Sequence, residues 1–393
     1  MKIAIIGSGM SGLACATRLS KAGLAPTLFD KGRGIGGRMA TRRAEGGYQF
    51  DHGAQMIPAK DATFRSVLNA ARSAGHVAEW HTGESEGHMV GTPGMTALSK
   101  YLAHGLDLHQ QTEITSVTQT DAGWELTADK PLGTFDRVVC TAPAPQAIKL
   151  VGTALSCALD QVAYVPSLTL MVALNRSIDA PDTQTNPTDA LAWIAHDSAK
   201  PGRSTQNCWV AQASAAWSAT HLELTKDEIA TLMLDLFLTH HALDATDVAY
   251  ATAHRWRYAL VTQPLGQPFV MSSDETLYAG GDWCLGPHIE HAWQSGTAIA
   301  EDILRAADVP PTDVYFHGNN KGRQELQEAV SSGVGRVVVD NVYEMRLLDE
   351  VAHSGLSVVA RAGGVVVKKN SSRWTRRPTP LRTRQSPRVR SWS

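Results

Sequence analysis

The chain has 393 residues, 43% hydrophobic and 19% charged, the composition of an ordinary globular protein with room for more than one domain. Its formal net charge of −2 gives no global argument for nucleic acid. No stretch approaches the roughly 18–20 apolar residues of a membrane span. That near-neutrality hides an asymmetry: between Lys368 and Ser393 lie two Lys and seven Arg with no acid, which leaves −11 on residues 1–367. Cys15, Cys140, Cys157, Cys208 and Cys284 are scattered, odd in number and form no CxxC pair. The expectation is therefore reduced thiols in a cytoplasmic protein, with neither a disulfide framework nor a metal site. Glycines follow Ile3–Ile6 at once, so the N-terminus does not read as a signal peptide.

In chain order, Lys2–Ile6 is a short apolar run suited to a buried parallel strand. Gly7–Gly12 is a glycine-rich turn. Ser11–Ala22 reads as a helix ended by Gly23, and Thr27–Phe29 as a strand closing at Asp30, which completes a βαβ unit. Helices are expected near residues 60–75 and 95–104. Strands are expected over 106–128, with a turn at Asp121–Gly123, and a buried strand at Arg137–Cys140. Residues 160–265 mix strands with one helix, Lys226–His240, and carry Trp193, Trp209, Trp217 and Trp256; they read as a second lobe built on a sheet. Leu277–Ala279 is a short strand and Glu290–Arg305 a helix with one apolar side. Pro310-Pro311 breaks the pattern. The last stretch is rich in Arg, Ser, Thr and Pro without a periodic apolar face, which predicts disorder.

Gly7-Ser-Gly9-Met-Ser-Gly12 is a GxGxxG turn in its informative context, after a buried strand and opening a helix. Gly7 permits the tight turn, Gly9 lets backbone approach a pyrophosphate, and Gly12 lets helix and strand pack closely. The N–H groups of Met10 and Ser11 then face the phosphates from the positive end of the helix. Asp30, 18 residues past Gly12, stands where a carboxylate accepts from ribose hydroxyls. The next loop separates flavin from nicotinamide dinucleotide. Lys31-Gly-Arg33-Gly-Ile-Gly36-Gly37-Arg38-Met39 is a second glycine-rich, arginine-bearing loop, suited to wrapping the pyrophosphate of FAD.

The run FDKGRGIGGRMATRR, then Phe50 to Gln55 (FDHGAQ), resembles the renalase-type branch of the FAD-dependent amine oxidase superfamily. Gly91-Thr-Pro-Gly-Met95, His254-Arg-Trp-Arg-Tyr258 and Tyr278-Ala-Gly-Gly-Asp-Trp283 leading to Gly296 are similar too, so the resemblance spans about residues 1–306. It implies an α/β fold: a discontinuous, three-layer Rossmann-like FAD domain (1–90, 105–155, 266–307) with an inserted sheet-based substrate domain (91–104, 156–265). It also implies that Gly281-Asp282 supports the ribityl or pyrophosphate region and that the helix from Ile289 points at the flavin. His52-Gly53 would lie near the flavin, and the backbone of Ile114 under the adenine. His288 departs from the smaller residues that relatives often carry.

The activity so implied is oxidation of 2- or 6-dihydro isomers of NAD(P)H to NAD(P)⁺, with O₂ reduced to H₂O₂. Gln55, Arg257 and Trp283 are the candidates to line that pocket. An amine oxidase or other flavin dehydrogenase is the alternative, with Trp256, Tyr258 and Trp283 flanking the amine; a catalytically idle flavin-binding protein is another. Small molecules are the expected partners, not nucleic acid or membrane.

Residues 314–350, with Phe316-His-Gly-Asn-Asn-Lys321 and Val337-Val-Val-Asp340, resemble one piece of the barrel of diaminopimelate decarboxylase. One αβ piece cannot close a barrel. Residues 308–362 are therefore expected to be an appended fragment, from a fusion or a frameshift, with a basic tail at 363–393.

Overall fold

The computed structural model describes residues 1–82, 87–152, 155, 159–306, 315–316, 321–331, 336–339, 342–351, 357–360, 365–370 and 373–376. It divides into two compact units, Met1–Ala307 and Asp308–Ser393. Cys157 lies outside the described residues, as do 377–393 of the basic tail.

The first unit is built on a six-stranded sheet. Its order is Val270–Met271, Leu277–Ala279, Arg137–Cys140, Ile3–Ile6, Thr27–Phe29, Asp107–His109, all parallel except the first strand. Strand Ile3–Ile6 is apolar throughout because both faces are covered. Ile3 and Ile5 join one cluster with Leu13, Leu19, Phe64, Leu98 and Ile299, from helices Met10–Lys21, Ala62–Ser73, Thr96–Ala103 and Ile289–Ala306. Ala4 and Ile6 join the other, with Trp124 and Leu126 of the three-stranded meander Ser116–Phe135 and Ala144 and Ala147 of helix Ala144–Val151. The result is a three-layer α/β domain of Rossmann type. Helix Thr96–Ala103, expected in the substrate lobe, packs in the helical layer instead: Leu98 and Leu102 share the first cluster, and Thr17 Oγ1 donates to the Leu102 carbonyl at 3.0 Å.

The inserted lobe is a five-stranded antiparallel sheet, ordered Thr183–Thr185, Leu191–His196, Cys208–Ala213, Ala163–Leu174, Val248–Gln263. Alternation gives it two different faces. Leu168, Leu170, Val172, Trp209, Ala211 and Ala253 pack under helix Lys226–His241, through its Ile229, Met233 and Phe237. A capping box starts that helix, with Thr225 and Glu228 each bonding the other's backbone N–H. The opposite face meets the ribbon of Thr41–Arg43 and Gln49–Asp51. Phe50 is buried there among Met171, Ala173, Cys208 and Val210, and Tyr250 stacks on both Tyr48 and Phe50 at 5.6 and 5.8 Å.

The second unit carries a sheet ordered Tyr315–Phe316, Arg336–Val339, Ser357–Ala360, Val365–Asn370, Arg373–Arg376, parallel in its first three strands. Helices Arg323–Ser331 and Val342–Val351 accompany it, and Leu326, Val337, Val339, Leu347 and Leu348 form its core. Residues 365–370 and 373–376, assigned by sequence to a disordered tail, are two strands that pair antiparallel. The β-branched run Val365-Val366-Val367 favours a strand despite the basic surroundings. Among the described residues no helix is long and apolar enough to cross a membrane, and no group of three or more acidic, His or Cys side chains could hold a metal.

Candidate active site

Three glycine-bearing loops converge at the end of strand Ile3–Ile6. Gly7 has φ +106°, and a Cβ on Gly12 would stand 2.0 Å from the Gly7 carbonyl oxygen, so this turn closes only with glycine. Gly9 is different: nothing lies within 4 Å of where its Cβ would be. The second loop docks on the first, Gly36 N donating to Ser8 O at 3.0 Å, and the Gly37 Cβ position lies 3.6 Å from Gly9 Cα. The third follows, with Ala54 N donating to Arg38 O at 2.8 Å and a Gly53 Cβ position 2.0 Å from that same oxygen. Met10 and Met39 are buried beneath these loops.

This cradle fits a dinucleotide. The first-turn amides of helix Met10–Lys21 have no intrahelical partner, Gly9 leaves room above them, and the buried Ser11 Oγ has no hydrogen-bond partner in the described structure. Asp30 braces the cradle. Its carboxylate accepts from Ser8 N at 2.6 Å, Ser8 Oγ at 2.7 Å and Gly32 N at 2.7 Å. A carboxylate has about four acceptor sites, so one remains for a ribose hydroxyl. Lys31 is exposed and reaches Glu113 at 3.8 Å and Gln146 at 3.4 Å. Ile114 is buried in the second cluster.

Arg38, expected at the pyrophosphate, and Asp282, expected at the ribityl or pyrophosphate region, are joined to each other. Arg38 donates to both Asp282 oxygens, at 2.7 and 2.6 Å, and to the Ala259 and Tyr258 carbonyls at 3.0 and 3.4 Å. The fork thus ties the second glycine loop to both the Gly281–Asp282 turn and the long substrate-lobe strand. Gly281 N donates to Ser295 Oγ at 2.9 Å, which fixes the turn to the helix that Ile289 begins. That helix touches the first one backbone to backbone: a Cβ on Gly296 would stand 2.0 Å from Ser11 O.

Sequence reasoning missed a buried charged cluster where the ribbon meets the lobe. Lys200 Nζ lies 2.6 Å from Asp197 Oδ1, 3.5 Å from Asp51 Oδ2 and 3.0 Å from Gln55 Oε1, and sits 5.5 Å from the centre of a Trp80 ring. Arg203 reaches the same Asp51 oxygen at 2.5 Å, while Thr41 Oγ1 and Met95 N donate to its other oxygen. Two carboxylates and two cations balance with no solvent contact at Lys200 or at either acid. Burial alone would raise Asp51, but Lys200 and Arg203 hold it below the usual carboxylate range; burial keeps Asp197 above that range.

Beside this cluster His52 packs on His254 at 4.8 Å and stacks on Trp256 at 5.2 Å, whose Nε1 donates to His52 O at 2.7 Å. Gln212 Nε2 donates to Gly53 O at 2.7 Å. Burial first, then neighbouring positive charge that includes Arg42, pushes both imidazoles down to about 4, so they are neutral near pH 7. The three side chains expected to line the pocket stand apart from this seam or are already committed. The Gln55 amide is taken by Asp51 O, Gly53 O and Lys200. Trp283 is fully buried, donating to Ala142 O at 3.1 Å. The Arg257 side chain is 43% exposed and pairs with Glu223 at 2.6 Å. His288 is exposed beside His291. Burial pushes the Cys284 thiol up to about 12, so it offers no thiolate.

Comparison with known proteins agrees with this architecture. The family profile of flavin-containing amine oxidoreductases matches residues 68–304, and that of NAD(P)-binding Rossmann-like domains matches 5–71. The profile of the pyridoxal-binding domain of pyridoxal-dependent decarboxylases matches residues 299–375. A crystal structure assigned as a protoporphyrinogen oxidase from Exiguobacterium sp. 255-15 superposes with a TM-score of 0.64. It shares 13% identity over 78% of this chain and 99% of its own. The 4,4'-diapophytoene desaturase (4,4'-diaponeurosporene-forming) of Staphylococcus aureus (strain Newman) is 39% identical over 70 residues, 18% of this chain and 14% of the desaturase. Diaminopimelate decarboxylase of Bacillus subtilis (strain 168) is 48% identical over 46 residues, 12% of this chain and 10% of the decarboxylase. The chain therefore spans about a seventh or less of the length of these curated relatives.

Proposed function

The chain belongs to the family of flavin-containing amine oxidoreductases and is an FAD-dependent oxidoreductase, and on that footing we propose that it oxidises dihydronicotinamide isomers, the 2- and 6-dihydro forms of NAD(P)H. The balanced reaction is dihydronicotinamide plus O₂ plus one proton to the aromatic pyridinium plus H₂O₂. FAD, when bound, supplies the hydride acceptor at N5 and the path for two electrons to O₂. This chain's own contribution is placement. An electron-rich dihydropyridine gives up hydride without prior deprotonation, so the residues need only hold a flat, neutral ring and exclude water.

The observation that carries this reading is the aromatic seam in which His52 stacks on Trp256 and meets His254 edge-on, neutral near pH 7 and set on the face of the lobe sheet next to Gly53. The FDHGAQ run that contributes His52 is one of the motifs that carry the renalase-like resemblance. A second reading, oxidation of an amine, draws support from the Tyr164–Tyr258 pair, whose rings lie 5.5 Å apart next to the Arg38 fork. Anaerobic addition of aged NADH, which contains the isomers, should bleach the flavin band within seconds, with H₂O₂ on readmitting air. Bleaching by simple amines alone would overturn the proposal in favour of the second reading.

Residues 308–362 are read as an appended decarboxylase-like segment that brings no active site of its own, in a cytoplasmic protein. Support comes from the division at 307/308 and from a match confined to about a tenth of the decarboxylase. A chain ending at Ala307 should keep its FAD stoichiometry and its bleaching rate. Loss of flavin from that shortened chain would overturn this reading.

A further inference from the structure

We infer that Arg42, together with the His52 and His254 imidazoles, forms an anion subsite that takes a phosphate of the substrate, so that phosphorylated dihydronicotinamides are preferred to the bare nucleoside. The inference rests on the dihydronicotinamide reading above. Register puts Arg42 in place: it stands opposite Phe50 in the ribbon, and directly opposed residues of an antiparallel pair project to the same face. Phe50 stacks against Tyr250 of the long lobe strand, and His52, just past the end of the ribbon strand, meets His254, four residues further along the lobe strand on the same face. Arg42 is therefore delivered to the seam, and its charge acts on both imidazoles.

Among the described residues the Arg42 side chain makes no hydrogen bond or ion pair, although it is only partly exposed. The ribbon's own carboxylate, Asp51, is already held by Lys200 and Arg203. A second observation points to a ligand. His52 Nδ1 and Thr169 Oγ1 are buried without a partner, and Thr169 stands directly opposite His254 in the sheet register. Buried polar atoms ordinarily find a partner. The guanidinium fork matches two phosphate oxygens, and a neutral imidazole can add one N–H donor. A cationic amine would meet repulsion at the same place.

The test uses the flavin-loaded full chain, so that the FAD pyrophosphate site is filled. Oxidation of two isomeric dihydronicotinamides, the dinucleotide and the phosphate-free riboside, is compared for the parent and Arg42→Gln, and inorganic pyrophosphate is titrated calorimetrically into both. The expected result is a KM for the dinucleotide raised about tenfold in Arg42→Gln, as for loss of a charge-assisted contact. The riboside KM, kcat and flavin spectrum should be unchanged, pyrophosphate binding lost, and Arg42→Lys should recover part of it. If the parent oxidises both forms and Arg42→Gln changes neither KM nor pyrophosphate binding, the subsite is overturned and the substrate reading survives. If neither form is oxidised yet pyrophosphate binds in an Arg42-dependent way, the anion subsite stands and the substrate reading falls.

Discussion

Gly12→Val should purify without its flavin, at less than about a tenth of the parent's FAD per chain, whereas Gly9→Ala should fold normally and bind FAD weakly. The contrast follows from where each Cβ would go. On Gly12 it meets the Gly7 carbonyl oxygen at 2.0 Å and Thr141 Oγ1 at 3.0 Å. Backbone cannot rotate away as a side chain can, so the first helix must lift off the strand, at a cost of about 3 kcal/mol or more. On Gly9 the Cβ meets nothing of the protein, and φ of −71° suits alanine. Any loss there reports the ligand that approaches that backbone. The measurements are the ratio of visible flavin to protein absorbance and the melting temperature of each variant. An unchanged FAD affinity in Gly9→Ala would remove the pyrophosphate from this turn.

Lys200→Met should lose about 3–5 kcal/mol of unfolding free energy, because it leaves Asp51 and Asp197 buried with one cation fewer. The double variant Asp197→Leu with Lys200→Met removes one charge of each sign and should recover much of the loss, since Asp51 keeps Arg203. Denaturant midpoints of the parent and both variants decide this. A loss under about 1 kcal/mol for the single variant would mean that water reaches the cluster and screens it. Because the Gln55 amide is braced by Lys200 and bonds Gly53 O, the single variant should also loosen the loop that carries His52.

The nucleotide half of the molecule was legible in the sequence because its signals are local. A buried strand, a glycine turn, a helix and a strand-end acid all fall within residues 3–30, and the structure places strands at Ile3–Ile6 and Thr27–Phe29 around helix Met10–Lys21. The charged cluster was not legible. Asp51 and Asp197 are 146 positions apart, and Asp197-Ser-Ala-Lys200-Pro-Gly-Arg203 reads as a solvated polar turn until the tertiary fold buries it. The alternation in His254-Arg-Trp256-Arg257 held a usable signal. Residues two apart share a face of a strand, so Arg257 belongs with Arg255, away from His254 and Trp256. Arg38 and Asp282 were each singled out, but their mutual pairing depends on a contact across 244 positions that no local pattern encodes.

The bare contact of Gly296 with Ser11 has a consequence for how the protein is made. The nucleotide cradle is synthesised first, yet one of its walls is the helix Ile289–Ala306, and that wall fits only because residue 296 has no side chain. A nascent chain halted before residue 289 carries the glycine turn without its closing partner. It must wait through the whole inserted lobe, holding parallel-sheet edges that pair late. Flavin capture therefore waits until helix Ile289–Ala306 has been made. A bound yellow chromophore certifies that the ribosome has read through to the last helix of the first unit.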